Sequence, residues 1–538
     1  MPVSCLRRSP AITLDSFVKI AFMLNRIVLP ATRVASLTMM LLLAASLSAQ
    51  IAYDEPWRPQ YQFTPAKNFM NDPNGLVFYK GEYHLFYQFN PQGNRWGHMS
   101  WGHAVSRDLV HWQHLPVAIP EQPGYMIYSG SAVVDWKNSS GLCQSTDKKD
   151  PSCLVAIYTA ATGDTWQRQH IAVSQDRGRT WTEYAGNPVA DLKAKDFRDP
   201  HVFWYEPQKK WVMAAVLADE RQLVLLESRD LKSWKRMSTF GPAGDSEGQW
   251  ECPDLFELPV EGTREKKWVL VINRNPGAPA GGTGVRYIVG RFDGTTFVAE
   301  TPDDTKLWAD YGKDFYATQS YNDIPATDGR RIWMGWISNW QYANAETTEF
   351  WRGGQSFPRE LRLGRFPDGV RLLQSPIREM KTLRRPLLSL KNVSLDTVAQ
   401  EIRKAGINGD LLEIEAHIAP GAEGETGFRV RKGKDVETVV GFTAGSRQLF
   451  VDRTRSGEVA FSKDFPARHS VVLRENSHLK LHLFIDRSSV EVFANDGEAT
   501  MTERIYPPAD AKGLEVYSTG GRASVLSLQV WALESVWK

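Results

Sequence analysis

The chain has 538 residues and a formal net charge of +2, enough length for two or more domains with large cores. So small a charge, with no basic run interleaved with aromatics, excludes nucleic acid as a partner. The 19 tryptophans are the unusual part of the composition: each offers a flat apolar face and one N–H, suited to stacking on a sugar ring or a base.

Residues 1–50 read as an N-terminal extension and signal peptide. Arg26 and Arg33 precede an apolar run at 37–45, and small residues follow at 46–49. The run is shorter than the roughly 20 residues a membrane span needs. The expected leader is therefore about residues 23–49, with Met23 as a second candidate start, and the mature protein is expected to be secreted or periplasmic and free of the membrane. Export permits a disulfide. Cys143 and Cys153 flank a polar loop and either pair or stay reduced; Cys252 stands alone beside Glu251. No Cys or His spacing suggests a zinc site, and no metal or cofactor is expected.

From 51 to 374 the chain reads as short strands rich in Val, Ile, Tyr, Trp and Phe, broken by Gly, Pro, Asn and Asp turns. A unit ending in an aromatic recurs, as in 106–112, 174–181, 228–234 and, more weakly, 292–297. Unit starts fall at Asp72, Ser129, Asp199, Glu251 and Tyr316, about 50–70 residues apart, the size of a four-stranded blade. The expected fold is thus all-β, with a five-bladed β-propeller whose inner strands converge on one funnel. Three of the starts carry acids. Asp72 precedes a strand at 76–79, Asp199 one at 201–205 and Glu251 one at 255–258, each with a proline close by.

A connector is expected at 375–388. Beyond it, 389–538 alternates apolar and polar residues: Leu479, Leu481, Leu483 and Ile485 face one way, Val490 and Val492 continue on the next strand, and Leu526, Leu528 and Val530 repeat the pattern. Asn495-Asp496-Gly497 marks a tight turn. This part reads as a β-sandwich with no acid or histidine cluster.

Three carboxylates in a funnel suit glycosidic bond cleavage. One acid protonates the leaving oxygen, a carboxylate attacks the anomeric carbon or activates water, and the third holds sugar hydroxyls. Taken singly, such an Asp is more often a turn cap; three in register across repeats favour a site.

The motifs Met70-Asn71-Asp72-Pro73-Asn74-Gly75, Phe197-Arg198-Asp199-Pro200 and Trp250-Glu251-Cys252-Pro253-Asp254 resemble those of the β-fructosidases of glycoside hydrolase family 32, the levanases, inulinases and invertases. Trp96-Gly97-His98-Met99-Ser100-Trp101-Gly102-His103, Ser129-Gly130-Ser131, the stretch 310–317 and Asp486-Arg487-Ser488-Ser489-Val490-Glu491-Val492-Phe493 extend the likeness over residues 57–535. The resemblance implies a retaining double displacement, with Asp72 as nucleophile, Glu251 as acid and then base, and Asp199 stabilising the oxocarbenium-like state. It implies that Arg198 keeps Asp199 ionised and contacts substrate. Asn71, Gln88, Trp96, Ser129, Tyr316 and Trp336 are implied to line the fructose subsite. Cys252 either tunes Glu251 or is a small buried filler. Phe69 stands where many members carry Trp. The expected activity is removal of terminal fructose from levan or inulin, and from sucrose. The alternatives are a sucrose-specific invertase, a fructosyltransferase, a five-bladed glycosidase acting on arabinans or xylans, and a fructan-binding module without turnover.

Overall fold

Runs of β-branched and aromatic residues, cut every few positions by turn formers, leave little chain for helices. The computed structural model describes residues 53–537 other than 146, 148, 164, 521 and 522; the expected leader lies outside this range. Five sheets of four or five strands follow one another, antiparallel except where Trp351–Arg352 joins the first in parallel. Their inner strands are Asn68–Tyr79, Met126–Val134, Phe197–Tyr205, Gln249–Pro259 and Tyr316–Ser320. Each packs beside the next, and the last returns to the first, so the five expected blades are present and closed into a propeller. The ring is sealed where Asn322 N–H donates to Leu76 O at 2.9 Å and Phe78 N–H donates to Asn322 O at 3.0 Å.

Apolar side chains fill the wedges between blades. Val133, Ile157, Val202 and Met213 join the second blade to the third, and Val212, Leu225, Leu255 and Leu270 join the third to the fourth. Each such side chain, fully buried, contributes about 1.5–3 kcal/mol. The radial wedges hold the inner strands at fixed angles, which positions the site. Cys143 and Cys153 form a disulfide with Cα atoms 5.3 Å apart, resolving the pair left open by the sequence.

The stretch 375–388 is not a free connector. The outermost strand of the fifth blade, Gly369–Pro376, runs into it, a 3-10 turn occupies Arg378–Leu383, and the strand Arg384–Ser394 already pairs with Ser524–Leu533 in the next domain. That domain is a sandwich of a six-stranded and a five-stranded sheet, with one α-helix, Leu395–Lys404, whose Val398 and Ile402 face the core. Leu479, Leu481, Leu483, Ile485, Val490 and Val492 are all in that core. The last strand departs from the expected alternation: Val525, Leu528 and Val530 are buried and Leu526 is not. A register shift between His417 and Ile418 on the partner strand puts Val525 in the place Leu526 would have taken. The sandwich also carries an acid–histidine cluster that the sequence reading missed. His482 Nε2 lies 2.6 Å from Glu413 Oε1, and Arg384 Nη2 lies 2.6 Å from Glu415 Oε1. The two glutamates and the histidine sit on neighbouring strands, and Arg384 reaches them across the strand Ser524–Leu533.

The two domains share a buried polar seam. Asp310 Oδ1 accepts from the Thr502 N–H at 2.9 Å, Asp310 Oδ2 meets Arg359 at 3.1 Å, and Arg359 meets Glu491 at 2.6 Å. Asp486 accepts from the Gln60 N–H at 2.9 Å. Gly497, in the tight turn with φ +90°, packs so closely on the backbone of Gln374 that a Cβ would sit 1.8 Å from its carbonyl oxygen.

Candidate active site

The acids are not in turns that precede strands; they lie inside the inner strands, at bulges. Each of the five inner strands loses register with its neighbour at its functional end: between Met70 and Pro73, Ile127 and Gly130, Glu251 and Asp254, and Tyr316 and Gln319, and opposite the step from Ala214 to Val216, where Asp199 stands. A bulge leaves an extra residue unpaired and re-aims its side chain. It also accommodates a proline, which has no N–H to give the ladder, and this is the physical content of Asp72-Pro73, Asp199-Pro200 and Cys252-Pro253. Asp199, Cys252 and Ala317 adopt positive φ of 59°, 40° and 52° at these points.

The five bulges bring Asp72, Ser129, Asp199, Glu251 and Tyr316 to one cavity of about 410 Å³, with Asn71, Gln88, Arg198 and the half-exposed Trp96 also in its wall. The Ser129 hydroxyl donates to Asp72 Oδ2 at 2.6 Å and the Asn71 amide to Oδ1 at 2.9 Å. Burial raises the Asp72 carboxyl above the usual aspartate range; the Ser129 hydroxyl opposes that rise and the Glu251 charge adds to it. Arg198 Nη2 lies 3.0 Å from Glu251 Oε1, and the Tyr316 hydroxyl donates to Glu251 Oε2. Burial, joined by the Glu251 charge, lifts the Tyr316 phenol well above its ordinary value, so it stays a proton donor.

Asp199 is 4% exposed and accepts from the Cys252 N–H at 2.9 Å. Its own N–H donates to the Thr159 hydroxyl at 2.9 Å. Burial pushes this carboxyl up to about 7, against the pull of Arg198. Arg198 acts on Asp199 in the expected direction, pulling its carboxyl down from 3.7 Å, but it sits closer to Glu251 at 3.0 Å, and desolvation is the larger influence. Arg198 itself is held protonated, because the neighbouring Glu251 and Asp199 charges outweigh its burial.

Cys252 is placed differently from the expectation. Its thiol meets Asp72 Oδ2 at 3.5 Å and Asp199 Oδ2 at 3.7 Å; the bulge turns it away from Glu251 and between the other two acids. Asn74 orients Gln88, accepting its amide at 3.0 Å. Trp336 is fully buried behind the wall and does not line the cavity. It packs 4.8 Å from Trp340, which does, and Phe69 supports Trp340 from 6.2 Å. Tyr128, Gln249 and Asn344 are further wall residues that the sequence reading missed. Gln249 stands two positions before Glu251 on one strand, a spacing that puts both side chains on one side, and Gln249 Oε1 accepts from Arg198 Nη2 at 3.1 Å. The Asn71 Oδ1 and Gln167 Oε1 atoms are buried in this wall without partners among the described residues.

Two carboxylates of different environment face one cavity, one gripped by hydroxyl and amide donors and the other by a guanidinium and a phenol, the arrangement of groups that glycosidic bond cleavage requires. Comparisons with known proteins identify the family. Residues 62–376 match the glycosyl hydrolases family 32 N-terminal domain and residues 379–532 the family 32 C-terminal domain. A levanase of Bacillus subtilis is 50% identical over 509 residues, covering 92% of this chain and 74% of that enzyme. An extracellular exo-inulinase of Aspergillus niger is 38% identical over 92% of this chain and 97% of its own. The crystal structure of exo-inulinase from Aspergillus awamori superposes with a TM-score of 0.83 at 36% identity, covering 90% of this chain and all of that one. The chain therefore belongs to glycosyl hydrolase family 32 and is a glycoside hydrolase.

Proposed function

We propose that the protein is an exported, retaining β-fructosidase that removes terminal fructofuranosyl units from levan or inulin, and from sucrose. In the first step Asp72 attacks the anomeric C2 and the C2–O bond to the leaving group breaks, its oxygen taking the proton of Glu251. In the second, Glu251 removes a proton from water, the water oxygen bonds to C2, and the bond to Asp72 breaks. Asp199 and Arg198 hold the fructosyl hydroxyls, and Tyr316 fixes the Glu251 carboxyl.

The observation that carries this reading is the grip on Asp72: Ser129, Asn71 and Cys252 all approach its oxygens, leaving a small, polar cavity with unpartnered buried acceptors at Asn71 and Gln167. Such acceptors suit the hydroxyls of one sugar ring. Substrate class is supported by the levanase and exo-inulinase relatives, and export by the extracellular ones. The test is product analysis on sucrose, inulin and levan side by side, with methanol as competing acceptor. Free fructose from the polymers and a β-configured methyl fructoside are expected. An α-configured product overturns retention, a ladder of oligosaccharides overturns removal of terminal units, turnover of sucrose alone reduces the enzyme to an invertase, and transfer to sugar in preference to water makes it a fructosyltransferase.

A further inference from the structure

A second cavity, of about 1020 Å³, opens at the other ends of the same inner strands. Its wall takes Val134 where the catalytic cavity takes Ser129, Tyr205 where that takes Asp199, and Glu257 where that takes Glu251. At about 3.3 Å per residue the two mouths stand roughly 15–20 Å apart along the propeller axis. The volume is more than twice that of the catalytic cavity and at or above the roughly 300–1,000 Å³ of small-molecule pockets.

Its lining is rich in tryptophan. Trp136 is 48% exposed, and Trp204 and Trp268 stand partly buried in the same wall. The Trp136 indole is fixed by Asp323, whose Oδ1 accepts its N–H at 2.8 Å. Arg331 lies over the Phe256 ring at 5.2 Å, and among the described residues no carboxylate is within ion-pair distance of it. His201, 2% exposed, turns Nε2 to Asp254 at 3.1 Å and leaves Nδ1 in this wall with no partner among the described residues.

We propose that this opposite mouth is a second carbohydrate-binding site, taking several residues of a fructan chain. Partly exposed indoles at the rim supply flat faces for sugar rings. The Arg331 guanidinium, which uses Nη1 on the Tyr321 carbonyl oxygen at 3.1 Å and pairs with no carboxylate among the described residues, and the orphaned imidazole supply hydrogen-bonding capacity deeper in. Acids and bases share the wall, so it does not favour an ion; a neutral ligand with many hydroxyls fits this mixture. The neutral-sugar chemistry stands by itself, whereas the identification of the sugar as fructan rests on the proposed function. A site on this face holds one stretch of a polymer, or a neighbouring chain of it, while ends are trimmed on the other.

The test uses the full-length chain. Binding of a short fructan oligosaccharide is measured by calorimetry on the Asp72→Ala protein, which does not turn it over, and on the same protein carrying Trp136→Ala and Trp204→Ala. Two binding events are expected in the first and one in the second. In the catalytically intact background the same two tryptophan changes are expected to raise KM for the polymer by about threefold or more and leave sucrose turnover unchanged, with the thermal midpoint reporting that the fold is kept. A single binding event in the first protein, or an unchanged polymer KM, overturns the second site. Binding there of an unrelated neutral glycan but not of the fructan overturns its assignment to substrate. Failure of the wild-type protein to cleave any fructan overturns the proposed function instead, and is read in a separate assay.

Discussion

The Tyr316 hydroxyl donates to Glu251 across the fourth and fifth blades, and the segment that delivers Tyr316 is anchored in the sandwich. Six residues upstream, Asp310 accepts from Thr502; two upstream, Asp314 accepts from the Arg504 N–H at 2.7 Å and donates its own N–H to Thr502 O at 3.0 Å. The sandwich carries no acid of the catalytic cavity, yet it fixes the chain that leads to the phenol on Glu251.

Tyr316→Phe is therefore expected to lower kcat/KM about ten- to hundredfold, since a hydrogen bond to a charged group is worth about 1.5–3 kcal/mol. The phenyl ring keeps the packing, so the melting temperature should hold. Steady-state kinetics on sucrose check this, and an unchanged kcat would remove Tyr316 from the reaction.

Cys252→Ala keeps the backbone N–H on Asp199 and deletes the thiol between the acids. The thiol contact helps hold the Asp72 carboxyl down. Its loss should move the acidic limb of the pH profile of kcat/KM upward, with a fall in rate of about fivefold for a contact worth ~1 kcal/mol. A profile that overlays the wild type returns Cys252 to a filler.

Asp199 has a native pKa of about 7 against about 3.9 in an unfolded chain. Between those values the unfolded chain loses the proton first, so this group lowers stability as pH rises through that window, and by a constant amount above it. Asp199→Asn escapes the penalty. The melting temperature of the variant minus that of the wild type should be small at pH 4, grow towards pH 7 and then level off, while activity is lost. A difference that shrinks over this range contradicts the assignment.

Asp310→Ala leaves Arg359 paired with Glu491 but removes the acceptor of the buried Thr502 and Gly312 N–H groups. Each buried donor left unsatisfied costs about 1–3 kcal/mol. Urea denaturation should show that loss, and kcat should fall with it through the displaced Tyr316 segment. Stability lost with kcat intact would confine the seam to a structural part.

Much of this was legible because proline and acid mark the same event. Asp72-Pro73 and Asp199-Pro200 announce a bulge, a bulge sits where a side chain must be re-aimed, and the repeat spacing counts the blades. What was not legible depends on which way a side chain turns. Trp336 and Trp340 are equally aromatic and only four residues apart; Trp336 ends a regular strand opposite Tyr316 and faces inward, whereas Trp340 lies past it and reaches the cavity. Cys252 follows Glu251, and nothing in the sequence says that the bulge sends Glu251 to Arg198 and Tyr316 and Cys252 to Asp72 and Asp199. The edges of 375–388 failed for a related reason: a charged, proline-bearing stretch looks like a connector, yet Arg384 and Arg385 pair in the sandwich edge.

The five bulges also make the catalytic cavity a matter of counting. A strand alternates its side chains between two faces, and each inner strand gains one residue on its partner at the funnel, so everything before the extra residue is out of phase with everything after it. Removing Pro200 alone would leave every acid of the sequence in place and bring the third blade back into even step. Asp199 would then turn to the opposite face, toward the apolar wedge. The reaction is written into these strands by their length as much as by their residues.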